Sequence, residues 1–151
     1  MRRVRLLLIA VGVLVFLAIS ALLARAFSVE GAERSAITAL LQAEARGDAA
    51  GMKARIQRCP ASAACQARVA ADAAALTRAG HVSILELNPS AGFSLSSTVG
   101  TARVAWRAGG SLPIVQCVRV RRAGNVISGL RIELLEISLR IKSDRDCPAR
   151  F

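Results

Sequence analysis

Leu6 to Leu23 is an unbroken run without a charge, interrupted in its apolar character only by Gly12 and Ser20. At 1.5 Å per residue a helix of that length spans about 27 Å, close to the ~30 Å hydrocarbon core of a bilayer. Helix is the conformation such a segment must take in lipid, where each backbone N–H and C=O has to be satisfied within the segment. Arg2, Arg3 and Arg5 precede the run. That bias keeps the N-terminus cytoplasmic and carries the rest of the chain across. The sequence therefore divides into 1–26, a signal anchor, and 27–151, an extracytoplasmic domain. The alternative is secretion after cleavage following Ala26, because Ala24-Arg25-Ala26 is an acceptable small-x-small site. Both alternatives put residues 27–151 outside the cytoplasm.

The charge balance changes once the leader is set aside. The 151 residues carry 21 Lys plus Arg against 10 Asp plus Glu, net +11. Four arginines and no acid precede Phe27, so the domain itself is +7. Nearly all its cations are Arg, which with the heavy Ala content is the bias of a GC-rich bacterial genome. Aromatic residues make up 3% of the chain, and Tyr is absent. A base-stacking surface for nucleic acid is thereby excluded.

All four cysteines, Cys59, Cys65, Cys117 and Cys147, follow the apolar run, as suits an oxidising compartment. Three pairings are possible. The favoured one closes a short loop between Cys59 and Cys65 and ties the C-terminal tail to a strand through Cys117 and Cys147. Chain entropy gives about 2 kcal/mol for the first and nearer ~4 kcal/mol for the second. There is no Cys-x-x-Cys, and His81 is the only histidine. No metal site and no cofactor are expected, and His81 is expected to be exposed at a strand start.

Helices come first in the domain. Ile37, Leu40 and Leu41 recur at helical spacing within Glu30–Ala45, with Glu30 and Glu33 near the positive end of the dipole. Arg46-Gly47-Asp48 ends this helix and offers Asp48 as the cap of a short second one, which carries Met52 and Ile56 and stops at Cys59-Pro60. A third helix is predicted from Ser62 to Ala79, with Gly80 as its stop.

The period then changes to two. Strands are predicted over His81–Leu87, Phe93–Arg107, Ile114–Arg122 and Val126 to about Leu139. Asn88–Gly92, Gly109–Ser111 and Ala123–Asn125 are their turns. Three-residue hairpin loops place Ala102, Val104 and Trp106 on one face with Ile114, Val118, Val120, Leu130, Ile132 and Leu134. The opposite face collects Arg103, Arg107, Arg119, Arg121 and Arg131, with Glu133 as its acid. The fold class is α+β: a transmembrane helix, then three helices packed on a curved four-stranded antiparallel sheet.

This order of elements, with the local pieces Ala43-Glu44-Ala45-Arg46-Gly47-Asp48 and Pro113-Ile114-Val115-Gln116-Cys117-Val118, resembles the nuclear transport factor 2-like superfamily of cystatin-like fold. The resemblance covers about residues 30 to 140 and is architectural. It implies a cone between helices and sheet. In some members that cone holds an isomerase or cyclase pocket with Asp and Tyr; with Tyr absent, no catalytic residue carries over. Anchored accessory proteins of actinobacterial lipid-import systems are similar in layout.

Three function classes follow. An enzyme, or a binder of a small apolar ligand, would use polar groups leaning into the cone, for which Glu44, Glu86, Gln116 and Glu136 are the candidates. A surface binder would turn Arg103, Arg107, Arg119, Arg121 and Arg131 toward anionic lipid or a cell-wall polymer, since Arg matches phosphate and carboxylate with a bidentate fork. An assembly module would pair with other envelope proteins. No triad and no glycine-rich phosphate loop occurs, so the expectation is a non-catalytic binding or assembly module, in contact with the membrane through Leu6 to Leu23.

Overall fold

The computed structural model describes residues 2–91, 97–125, 129–149 and 151. Its elements are α1 (Arg2–Ala45), α2 (Ala49–Arg55), a 3₁₀ turn (Cys59–Ala61), α3 (Ala63–Ala75), β1 (Val82–Asn88), β2 (Thr98–Ala108), β3 (Ile114–Asn125) and β4 (Gly129–Ile137). The strands form one antiparallel sheet in the order β1-β2-β3-β4. The fold is α+β, with a long apolar N-terminal helix and an open four-stranded sheet.

The apolar run and the predicted Glu30–Ala45 helix are one element. α1 continues through 44 residues with no break at the expected 26/27 boundary. No proline or paired glycine interrupts that stretch, so nothing in the chain stops helix propagation. From Val4 to Ala24 every described side chain is exposed. From Val29 onward a stripe of Val29, Glu33, Ile37, Leu40, Leu41 and Glu44 is buried against the sheet. This corrects the placing of Glu33 as an N-terminal dipole residue: it lies in mid-helix and fully buried.

The helix ends as its residues dictate. Gly47 adopts a left-handed φ of 69°. The N–H groups of Gly47 and Asp48 return to the carbonyls of Glu44 and Ala43, a Schellman closure. Asp48 Oδ1 then accepts from Gly51 N at 2.7 Å and caps α2. Ser62 caps α3 by accepting from Cys65 N. α3 stops at Ala75, four residues before the expected Ala79.

The first hairpin has the expected register, with Trp106 opposite Ile114 and Ala102 opposite Val118. The second does not turn at Ala123–Asn125. β3 runs through those residues, and Asn125 pairs with Gly129. The shift is an even number of residues, so Leu130, Ile132 and Leu134 keep the face assigned to them. The predicted start of the second strand, 93–96, and of the last, 126–128, lie outside the described residues.

Two bulges change the alternation within strands. In β1, Ile84 pairs with Trp106 but Glu86 pairs with Ala105, leaving Leu85 extra. In β4, Leu134 pairs with Val120 but Glu136 pairs with Arg119, leaving Leu135 extra. Each bulge reverses the inward and outward sets beyond it. Leu87 and Ile137 turn to the core in consequence. That core centres on Trp106, Ile37, Leu40, Leu41, Met52, Ile114 and Val118.

Beyond β4 the chain stays beside β3: Ser138 N donates to Cys117 O and Ile141 N to Val115 O, both at 2.8 Å. The cysteines pair as Cys59–Cys65 and Cys117–Cys147. The second disulfide fastens the tail across the outer face of the sheet. Ile56 forms a parallel bridge to Leu134. Gln57 N donates to Leu134 O at 2.7 Å. Together these contacts cover part of the β4 edge.

Candidate functional site

Of the four polar groups expected to lean inward between helices and sheet, two are buried there. Glu44 on α1 and Gln116 on β3 are both buried, and Gln116 Nε2 donates to Glu44 Oε1 at 2.7 Å. The same amide nitrogen reaches Ser138 O at 3.1 Å, while Gln116 Oε1 accepts from Trp106 Nε1 at 2.7 Å. α1, β2, β3 and the segment after β4 are thus joined through one side-chain amide. Glu86 and Glu136 are on the other face of the sheet, carried there by the bulges at Leu85 and Leu135. Glu86 lies 3.7 Å from Arg103, and Glu136 lies 3.7 Å from Arg119.

A third acid, not anticipated, completes the interior group. Asp72 of α3 is buried and interacts electrostatically with Glu44. Glu44 Oε2 and Asp72 Oδ2 have no hydrogen-bond partner among the described residues. Burial, opposed by the Gln116 hydrogen bond and reinforced by the charge of Asp72, pushes the Glu44 carboxyl up to about 8. Burial likewise raises Asp72 to about 7, with Arg68 pulling the other way. These carboxyls retain protons at pH values where a solvated acid has lost its own. Neither lines the cavity between α3 and β4.

A second buried charge set lies nearer the apolar half of α1. Arg122 Nε and Nη2 donate to Glu33 Oε2 at 3.0 and 2.9 Å, and Ser90 N and Oγ donate to the same carboxylate at 2.8 and 3.0 Å. The carboxylate is saturated with donors, as a buried charge requires.

The five arginines of the outer face do share it, but three have acidic neighbours. Besides the Glu86–Arg103 and Glu136–Arg119 pairs, Arg121 lies 3.3 Å from Glu133. Arg103 also donates to Ser143 O at 2.6 Å and to Arg145 O at 3.4 Å, holding the tail in place. Arg107 and Arg131 are exposed. The face is therefore a laced surface of alternating sign rather than a uniform basic patch. His81 is exposed immediately before β1, as expected.

A cavity of about 230 Å³ opens between α3 and β4, lined by Arg58, Ser62, Arg68, Val69, Ile137 and Phe151 among others. Sequence patterning gave no hint of it, because its walls come from a turn, a helix and a strand bulge distant in the chain. Glu33, Asp72 and Arg122 did leave a signal: each occupies an apolar position in its helical or strand period.

No group of three or more His, Cys, Asp or Glu side chains among the described residues could hold a metal ion. Comparison with protein-family models, with curated proteins and with solved structures gives no match to this chain.

Proposed function

We propose that this chain is a membrane-anchored, extracytoplasmic binding or assembly module of the bacterial envelope, with no catalytic centre of its own. Its body would belong to the cystatin-like, nuclear transport factor 2-like type. One observation carries the reading: a helix segment long and apolar enough to cross a bilayer runs unbroken into the helix that forms the body's core. Only the residues between Leu23 and Val29 separate the exposed apolar surface from the buried stripe. That gap is about 9 Å of helix. With no flexible linker there, the body would stand directly on the membrane surface in a set orientation, an arrangement suited to lateral partners. The basic residues ahead of the apolar segment, and the two disulfides behind it, support export of the body.

The other two classes draw less support. An isomerase- or cyclase-like reaction needs a carboxylate that meets substrate, and Glu44 is sealed under Trp106 and Gln116. Attraction to an anionic lipid or polymer surface through the sheet face is reduced by the acids beside Arg103, Arg119 and Arg121.

The test is to express the full chain in a bacterial host and wash the membranes with alkaline carbonate. Its thiols are then alkylated before and after reduction, and the chain is purified in mild detergent after crosslinking. The expected result is an integral membrane protein whose cysteines react only after reduction, and which carries crosslinked envelope proteins. Extraction by carbonate, free thiols in the native state, or a chain that runs alone would overturn the reading.

A further inference from the structure

We propose that the cavity between α3 and β4 is a binding site for a small organic monoanion, a carboxylate with a short apolar body. The inference is independent of membrane attachment and concerns a surface on which no role has so far been placed. Two guanidinium-bearing residues, Arg58 and Arg68, line it together with Ser62, Gln57 and Glu136, and Val69, Leu135, Ile137 and Phe151 give it apolar surface. Neither Arg58 nor Arg68 has an acid within ion-pair distance among the described residues, in contrast to Arg103, Arg119, Arg121 and Arg122. The charge of Asp72 reaches Arg68 only from beyond that distance. Guanidinium is the group best matched to a planar carboxylate.

The backbone is arranged to hold these residues at the cavity. Arg58 is the single non-glycine residue among those described with a left-handed backbone, φ 60°. An L-residue with a long side chain avoids that region, and such strain persists where the surroundings impose it and gathers at binding sites. Here the residue adjoins the Cys59–Cys65 disulfide. Arg58 directly precedes one cysteine, and Arg68 follows the other by about one helical turn. The covalent loop thus fixes both cation-bearing positions relative to each other before any ligand arrives, which lowers the ordering cost of binding.

Size and charge select the ligand class. The cavity holds about 230 Å³. Sites for drug-sized molecules begin at roughly 300 Å³, so a single ring or a short chain fits here. Glu136 forms part of the β4 wall with its carboxylate turned to Arg119 on the outer face; the guanidinium groups of Arg58 and Arg68 match a planar carboxylate, and the apolar walls favour an organic anion over inorganic phosphate.

The experiment is a titration of the full chain in detergent micelles with sodium benzoate, followed by amide NMR shifts of Arg68, Val69 and Leu135. Benzamide and inorganic phosphate serve as comparison probes. Saturable shifts at these amides are expected with benzoate at millimolar concentration, and weaker ones with benzamide and phosphate. Arg68→Ala should weaken benzoate binding by about tenfold, the loss of one charge-assisted contact. Arg58→Gly separates binding from folding: glycine accepts the left-handed backbone, so this variant should melt at a higher temperature while binding benzoate about tenfold more weakly. The proposal is overturned if benzoate leaves these amides unmoved, if benzamide or phosphate binds as well, or if Arg58→Gly keeps full affinity.

Discussion

Gln116 and Glu44, 72 residues apart in the chain, meet in the interior through a hydrogen bond of 2.7 Å from amide to carboxyl. The amide is itself fixed by Trp106, which donates to its oxygen, so the orientation of the Gln116 side chain is decided on both sides. A carboxyl held in this way, beside a second buried acid at Asp72, makes the stability of the fold depend on protons.

Stability should fall as pH rises from about 4.5 to about 8. Glu44 keeps its proton in the folded chain up to about 8, whereas the unfolded chain releases it near 4.5. Its contribution is therefore complete below 4.5 and is lost as pH climbs through the folded value. Asp72 acts in the same sense between 3.8 and about 7. The combined loss is on the order of a few kcal/mol. Glu44→Gln, which keeps the acceptor for Gln116 and removes the ionisation, should flatten the profile and be the more stable protein at the alkaline end. Urea midpoints across this pH range check both statements.

Glu33→Ala should cost about 3–5 kcal/mol, because it strips a buried guanidinium of its carboxylate. Replacing Glu33 with Leu and Arg122 with Met together should recover most of that loss, since a well-packed apolar pair substitutes for a buried ion pair at little cost. Chemical denaturation of the two variants decides it.

The two disulfides should differ in weight, because they close loops of different length. Cys117→Ser with Cys147→Ser opens the longer loop and should destabilise by about 3–4 kcal/mol, against about 2 kcal/mol for the short Cys59–Cys65 loop. Limited proteolysis should also find new cleavage between Lys142 and Pro148 in the first variant, where loss of the covalent tie leaves the tail to exposed contacts such as those of Arg103.

The bulge at Leu135 predicts opposite sensitivities at adjacent positions. Ile137→Ala empties a buried site and should cost about 2–5 kcal/mol. Glu136→Ala removes a half-exposed ion pair and should cost no more than about 1 kcal/mol. The reverse ranking in thermal melts would mean that the strand alternates without interruption.

How much was legible in advance follows from the range of the forces involved. Local rules placed Asp48 and Ser62 at helix starts and Gly47 at a helix end, because caps and left-handed stops are settled within a single turn of chain. The Trp106–Ile114 register followed from loop length and alternation together. Missed were the continuity of α1, where acids at Glu30 and Glu33 suggested a fresh start, and the continuation of β3 to Asn125, where Ala123-Gly124-Asn125 carries turn residues inside a strand.

The amino-acid order by itself determined a lipid-length apolar helix, the change from helical to strand period after Gly80, and one apolar and one arginine-rich sheet face. These depend on hydrophobicity and spacing, which are properties of neighbours in the chain. Only the tertiary structure decided that Glu44, Asp72 and Glu33 are interior acids while Glu86 and Glu136 are surface ones. Alternation alone assigns a side chain to a face, but a single extra residue in a strand reverses it, and a buried charge is tolerated only where distant donors such as Gln116 or Arg122 come to meet it.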